Sequence, residues 1–180
     1  TPYAIATAVG AQRDPALASG NLVGVRQWLI VWEDHRAATP EVRGTIMNNS
    51  GSLAVAAFLI AAGTATQLSP RAAYDADTHL FVVVWNDGPS ATGSDIYATR
   101  VTHFGQVLDP GGVAISAGPG DQSHPDLAFG DGQFLIAWQD TRNDAGDIYG
   151  TRVVVDSLSL AVQDPLGLAL GSAAASQTAP

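Results

Sequence analysis

Three continuous apolar runs, each ending in a tryptophan, recur along this chain. They occupy positions 28–32, 81–85 and 134–138, so the tryptophans lie 53 residues apart. An apolar run without alternation is typical of a strand that is buried on both faces. Each run is followed by one variable residue and an aspartate. We therefore predict three equivalent central strands that end in the same kind of turn.

Further strand candidates surround each run. The segments 95–101 and 147–153 both begin Asp-Ile-Tyr, end Thr-Arg-Val and alternate more clearly, and the segment 41–46 is their diverged counterpart in the first copy. A short run follows a proline before each central strand, and a Gly-Val-Ala-Ile-Ser run lies at 112–116. Turns rich in Gly and Asp separate these runs. The pattern predicts four strands in each copy.

A second series of positions recurs with a spacing of 55 residues. The pattern predicts a single repeat domain over 1–180, with repeats at 5–59, 60–114 and 115–169 and a partial fourth at 170–180. The recurring positions are Ile5, Ile60 and Ile115; Gln12, Gln67 and Gln122; Pro15, Pro70 and Pro125; and, in the partial copy, Leu170, Gln177 and Pro180.

About 55 residues for four strands suits one blade of a β-propeller. The expected fold class is all-β, a propeller-type array of four-stranded repeats. A β-trefoil-like or prism-like three-fold domain is the alternative. Three blades are too few to close a propeller, for which about four to eight are typical. We therefore expect further blades of a longer chain, or further copies of this one, as partners.

The repeated motifs resemble a known family. The sequence Trp-x-Asp-x-Arg, followed by Asp-Ile-Tyr-Gly-x-Arg-Val, looks like the tandem β-propeller-type repeats of bacterial secreted and surface proteins, and 140–153 matches most closely. The resemblance covers nearly the whole chain. It implies the propeller fold and an extracellular or cell-surface location. It implies little about function, because propellers host many unrelated activities.

Composition narrows the choice of partners. The net charge is −9, the eight cations are all Arg, and cysteine is absent. An acidic surface repels nucleic-acid backbones and anionic membranes, so we expect no nucleic-acid partner. The apolar runs are shorter than the roughly 18 residues of a spanning helix, so we expect no membrane insertion. Without cysteine there is no disulfide framework and no thiol chemistry.

The turn after the third central strand is a candidate site for calcium. Asp140, Asp144 and Asp147 offer the hard oxygen ligands that calcium prefers, although their spacing matches no established calcium loop. The competing interpretation is that the first aspartate pairs with the arginine two residues later, as in Asp34/Arg36 and Asp140/Arg142. We expect no other cofactor.

The remaining repeated polar and aromatic residues have structural interpretations. Trp32, Trp85 and Trp138 could stack on sugars, but their position at the end of apolar runs favours the core. Gln12, Gln67 and Gln122 are expected to bond the backbone of a neighbouring blade. The four histidines fall at different repeat phases and are expected at the surface.

No short catalytic motif is present, so we expect a non-enzymatic protein. The leading hypothesis is an extracellular binding or structural repeat module, serving adhesion, glycan or protein binding, or self-assembly. One alternative is an accessory propeller fragment of a larger extracellular hydrolase. Another is a filament or surface-layer subunit that uses strand exchange.

Overall fold

The computed structural model describes residues 4–90, 93–143 and 146–171, and within them every regular element is a β-strand. The strands form three antiparallel sheets, and each sheet is continuous in sequence. The all-β prediction is confirmed. Sheet 1 contains β1 (Gln12–Leu22), β2 (Val25–Asp34), β3 (Glu41–Asn48) and β4 (Leu53–Ala61). Sheet 2 contains β5 (Thr66–Asp75), β6 (Leu80–Ser90), β7 (Gly93–Val101) and β8 (Val113–Ser116). Sheet 3 contains β9 (Gln122–Gly130), β10 (Gln133–Asp140), β11 (Asp147–Val155), β12 (Leu160–Val162) and β13 (Leu168–Gly171).

Each sheet is a simple meander in which sequential strands are neighbours. In sheet 3 the fourth strand is split, because β12 and β13 both pair with β11 at different places along it. The last strand packs over a small residue of the third strand. A Cβ atom on Gly44 would lie 2.7 Å from Cδ1 of Ile60, and one on Gly150 would lie 2.7 Å from Cδ1 of Leu170. β13 is therefore the counterpart of β4.

The sheets are offset from the sequence repeat. Ile60 and Ile115, which open two of the sequence copies, lie in the last strand of the preceding sheet. Leu170 likewise belongs to sheet 3. The structural unit thus begins near the repeated glutamine. Gln177 and Pro180, of the partial fourth copy, lie outside the described residues.

The repeated proline marks a β-bulge in the first strand of every sheet. Asp14, Ser69 and His124 each precede that proline and have positive φ angles of 46°, 50° and 52°. The pairing with the second strand skips both residues of the dipeptide in all three sheets. A proline has no N–H for the ladder, so a bulge is where a strand accommodates it.

Sheet 2 lies between the other two, and β6 contributes side chains to both interfaces. Phe81, Val83 and Trp85 join a core cluster with sheet 1, whereas the alternate residues Val82 and Val84 join a cluster with sheet 3. All five side chains are at most 1% exposed. The apolar run of β6 does not alternate because both of its faces are covered.

The central strand of sheet 3 has the same kind of sequence but only one covered face. Phe134, Ile136 and Trp138 are buried against sheet 2. The residue between the first two, Leu135, is 48% exposed. In sheet 1, Leu29 and Val31 face sheet 2, while the alternate residues of β2 lie on the opposite side, where Ile30 and Trp32 are also buried, at 5% and 4% exposed.

Candidate functional sites: Trp-x-Asp corners and outer faces

Each central strand ends in a corner where a tryptophan indole donates a hydrogen bond to the aspartate two residues later. The Nε1–Oδ2 distances are 3.3 Å for Trp32 and Asp34, 3.4 Å for Trp85 and Asp87, and 3.0 Å for Trp138 and Asp140. The three tryptophans are at most 4% exposed. Trp85 and Trp138 are covered by the core, and Trp32 is buried on the outer side of sheet 1, so none of the three offers a platform for a sugar.

Two of the corners also contain an arginine. Asp34 accepts from Nε of Arg36 at 2.7 Å, and Asp140 accepts from Nη2 of Arg142 at 2.6 Å. The second corner has no arginine, and Nε2 of Gln67 donates to Asp87 instead, at 3.2 Å. Each corner carboxylate therefore has at least two donors.

The hydrogen bonds outweigh burial in setting the charge of the corner aspartates. Burial raises the pKa of Asp140. Hydrogen bonds from Arg142 and Trp138 lower the pKa by more than burial raises it, so the pKa of Asp140 lies below the ordinary value. Asp34 has a lowered pKa for the same reasons. Both carboxylates are consequently ionised at neutral pH, which is the state that Trp and Arg donors stabilise.

The candidate calcium residues are only partly within the described chain. Asp140 and Asp147 are directly opposite each other in the β10–β11 ladder and are both buried, while Asp144 lies outside the described residues. Both carboxylate oxygens of Asp140 already accept from Arg142. Among the residues that the structure describes, no group of three potential ligands could hold a metal ion. Calcium binding by this loop stays a prediction.

The repeated glutamines bond the segment that precedes their own strand. Gln67 donates to the carbonyl of Ala65, and Gln122 donates to that of Gly120 at 2.9 Å and accepts from the N–H of Gly118 at 3.2 Å. Gln12 donates to the carbonyl of Gly10. These are local contacts. The predicted side-chain bonds of the glutamines to a neighbouring sheet are absent among the described contacts, and another residue makes such bonds instead.

The variable residue of Trp-x-Asp links successive sheets. Oε1 of Glu33 accepts from the N–H of Ser69 at 2.8 Å, and Nδ2 of Asn86 donates to the carbonyl of Gln122 at 2.6 Å. In both cases the side chain of a central strand reaches the bulged first strand of the next sheet. Gln139 has this position in sheet 3. Sequence reasoning missed the role because the residue type changes, although all three side chains can form hydrogen bonds.

We predict that alanine substitutions of Asn86 and Gln139 have unequal effects on the stability of the protein. Asn86→Ala should lower the free energy of unfolding by about 1–3 kcal/mol, because it leaves the buried carbonyl of Gln122 without its donor. Gln139→Ala, the matched control, should have little effect on an isolated chain. Urea denaturation of both variants measures this. Equal losses would contradict the inter-sheet role of Asn86.

His103 is a buried residue, so the expectation that all four histidines are at the surface is wrong. It is 2% exposed, bonds Gln27 through Nδ1, and contacts the rings of Tyr74 and Phe81. Its Nε2 has no hydrogen-bond partner. Burial, with a smaller effect of His79, lowers the pKa of His103. The repeat could not reveal this, since His103 follows β7 in one copy alone.

The stability of the fold should depend on pH through His103. Its pKa is lower in the folded protein than in the unfolded one, so below about pH 6.5 the unfolded state binds more protons. The free energy of unfolding should then fall as pH decreases, by at most about 1.4 kcal/mol per pH unit until the folded-state pKa is reached. Urea denaturation of the wild type and His103→Gln from pH 7.5 to pH 5.5 measures the difference. If the free energy of unfolding of His103→Gln changed with pH as steeply as that of the wild type, the prediction would be contradicted. His124→Gln, at an exposed site, is the control.

Two apolar faces lie at the ends of the three-sheet stack. The leading face is the outer side of sheet 1, formed by Trp28, Ile30 and Trp32. Half-buried Ile5 lies across it and helps to line two apolar clefts, one of about 130 Å³ beside Trp32 and one of about 320 Å³ beside Trp28. The trailing face is the outer side of sheet 3, formed by Leu135, Ala137 and Gln139 and flanked by Ile148, which is 46% exposed.

No family model and no curated protein matches this chain. Among solved structures, it is similar to an alpha-L-arabinofuranosidase from Lactobacillus brevis, with a TM-score of 0.51 and 12% sequence identity. The similarity covers 82% of this chain and 53% of the enzyme, so this chain spans about half of that structure. At this identity the likeness concerns the fold alone. The described residues include no helix that could cross a membrane.

Proposed function

We propose that the three sheets are consecutive blades of a β-propeller-type array, and that this array is a non-catalytic extracellular binding or structural module. The observation that carries the proposal is the repeated interface. Sheets 1 and 2, and sheets 2 and 3, pack through equivalent faces and are linked by Glu33 and Asn86 at equivalent positions. Their first strands, β1, β5 and β9, lie in contact in that order.

The exposed trailing face of the stack supports an array over a self-contained three-fold domain. In a closed trefoil-like or prism-like domain, sheet 3 would pack against sheet 1 and cover the trailing face. Leu135 and Ile148 are instead about half exposed, whereas Val82, the counterpart of Leu135, is fully buried. An exposed apolar face bordered by polar residues is typical of an interaction surface.

The use of the repeated carboxylates supports a role other than catalysis. Asp34, Asp87 and Asp140 recur at one place in every sheet, and all three hold tryptophan or arginine donors within the fold. Such residues stabilise corners. Adhesion, or binding of a glycan or protein, would then use the exposed loops and edges.

The proposal is tested by a binding screen and an activity screen on the same preparation. The folded chain should bind at least one class of ligand on glycan and extracellular-protein arrays, with heat-unfolded chain as the control. It should release no sugar from aryl glycosides, including arabinofuranosides. Absence of binding on both arrays, or turnover that follows the folded protein, would overturn the corresponding half of the proposal.

A second candidate function is an accessory part of a larger glycoside hydrolase. The likeness to the arabinofuranosidase favours it. This function predicts binding to polysaccharides that carry arabinofuranosyl groups, without hydrolysis by this chain alone. Pull-down with insoluble arabinoxylan would separate it from a module that binds proteins. A filament or surface-layer role predicts ordered polymers in electron micrographs.

A further inference from the structure

We propose that the trailing face of one copy of this chain binds the leading face of a second copy, head to tail. This inference rests on the propeller-type array proposed above and names the partner that covers the exposed trailing face and replaces Ile5 on the leading face. It has three supports: the apolar rows of the two faces, the hydrogen-bonding capacity of Gln139, and the position of Ile5.

The two outer faces are the two halves of an interface that the chain already contains. Between sheets 2 and 3, the row Val82, Val84 packs against the row Phe134, Ile136, Trp138. On the trailing face, Leu135 and Ala137 have the positions that Val82 and Val84 have in sheet 2. On the leading face, the row at the positions of Phe134, Ile136 and Trp138 consists of Trp28, Ile30 and Trp32. Docking of one on the other would repeat the internal contact.

Gln139 supplies the polar part of this match. At its two counterparts, Glu33 accepts from the N–H of the bulge residue, and Asn86 donates to the carbonyl two residues before the bulge residue of the next sheet. In a second copy these groups belong to Asp14 and Gln12. A glutamine amide has both a carbonyl acceptor and N–H donors, so Gln139 can make either bond or both.

Two copies joined in this way would contain six sheets. Closed propellers typically have about four to eight, so a pair could close into a ring. The contact is heterologous, and such contacts either close into rings or extend into open filaments. Both arrangements use the same pair of faces.

Ile5 occupies part of the leading face in the single chain. Ile60 and Ile115 lie in the last strands of sheets 1 and 2 and join the clusters that contain Trp85 and Trp138. Ile5 has the same relation to Trp32, but no residue from 4 to 11 is in a strand. A second copy would bring Leu170 of its β13 to this place. The segment that contains Ile5 must therefore leave when the copies join.

Single-cysteine variants test the direction of docking, and the absence of native cysteine makes them unambiguous. Asp14→Cys and Gln139→Cys, mixed and treated with a short thiol-to-thiol cross-linker, should give a covalent dimer that contains one of each. Either variant alone should give much less. Cross-linking of each variant with itself, or no cross-linking in the mixture, would overturn the head-to-tail arrangement.

The mass in solution tests the apolar contact. Light scattering over a concentration series should show a dimer or larger assembly for the wild type. Leu135→Asp, on the trailing face, should raise the dissociation constant at least about tenfold, since it places a charge in an apolar interface. Leu158→Asp is the matched control, because Leu158 is 88% exposed in the loop before β12. It should not change the association.

Ile5→Asp should strengthen association by about tenfold, because it releases a competitor from the leading face. Weaker association in this variant would contradict the competition. A wild type that stays monomeric at every concentration and gives no cross-link overturns the second copy as the partner. The ligand and activity screens are independent of that result, so failure of this inference and failure of the proposed function are distinguishable.

Discussion

Replacing Arg100 with methionine is expected to lower the free energy of unfolding by about 3–5 kcal/mol, because it leaves a largely buried carboxylate without its partner. The Arg100 side chain is 4% exposed and donates through Nε and Nη2 to both carboxylate oxygens of Asp109, at 2.9 Å and 2.7 Å. It also donates to the carbonyls of Asp156 and Leu158, in the loop between β11 and β12. Arg100 thus connects sheet 2 to sheet 3. Urea denaturation of the variant measures the loss.

Arg152 is the matched control for this prediction. It has the same place in the repeated Thr-Arg-Val sequence and the same two-pronged contact with an aspartate, Asp164, at 3.0 Å and 2.9 Å. Its side chain is 52% exposed, because none of the sheets formed by the described residues covers it. Arg152→Met should therefore shift the denaturation midpoint only slightly, since an exposed ion pair is weak. Similar losses in the two variants would contradict the argument that the inter-sheet setting gives Arg100 its importance.

Replacing Trp138 with alanine is expected to cost about 3–5 kcal/mol of stability, because it opens a large cavity at the interface of sheets 2 and 3. The side chain is 1% exposed and its indole bonds Asp140. The measurement is the unfolding free energy by urea or thermal denaturation. Trp28→Ala is the control, since Trp28 is half-buried on the leading face and should cost less.

The same variants decide between a structural and a sugar-stacking role for the corner tryptophans. A stacking role predicts that Trp138→Ala loses glycan binding while its stability stays close to that of the wild type. The geometry predicts instead that Trp138→Ala mainly lowers the stability, and that any effect on glycan binding is the smaller one. Stability within about 1 kcal/mol of the wild type would contradict the core placement of Trp138.

Some of the fold could be predicted directly from the chain because the signals are local. The apolar runs of 28–32, 81–85 and 134–138 all form central strands, and the Asp-Ile-Tyr segments form the next ones. The pairing of Asp34 with Arg36 and of Asp140 with Arg142 was also expected, since the partners are two residues apart. Contacts between residues this close depend on the turn that the sequence itself specifies.

The links between sheets could not be predicted in this way. Glu33 and Asn86 each reach a residue 36 positions later, and nothing in the spacing of Trp-x-Asp shows which residue that is. His103 meets Gln27, which lies 76 positions earlier. Such contacts depend on how whole sheets are stacked, which a repeat pattern leaves open.

By itself the sequence determined that this protein is all-β, that its strands recur in three copies, and that each central strand ends in the same kind of corner. These features depend on neighbouring residues and on the spacing of the sequence repeat. Tertiary structure alone decided which apolar residues are buried. Val82 and Leu135 have equivalent places in equivalent strands, but the first is 0% and the second 48% exposed. The physical reason is that burial requires a second surface: sheet 3 covers Val82, whereas Leu135 faces outward from sheet 3, on a side that no described sheet covers.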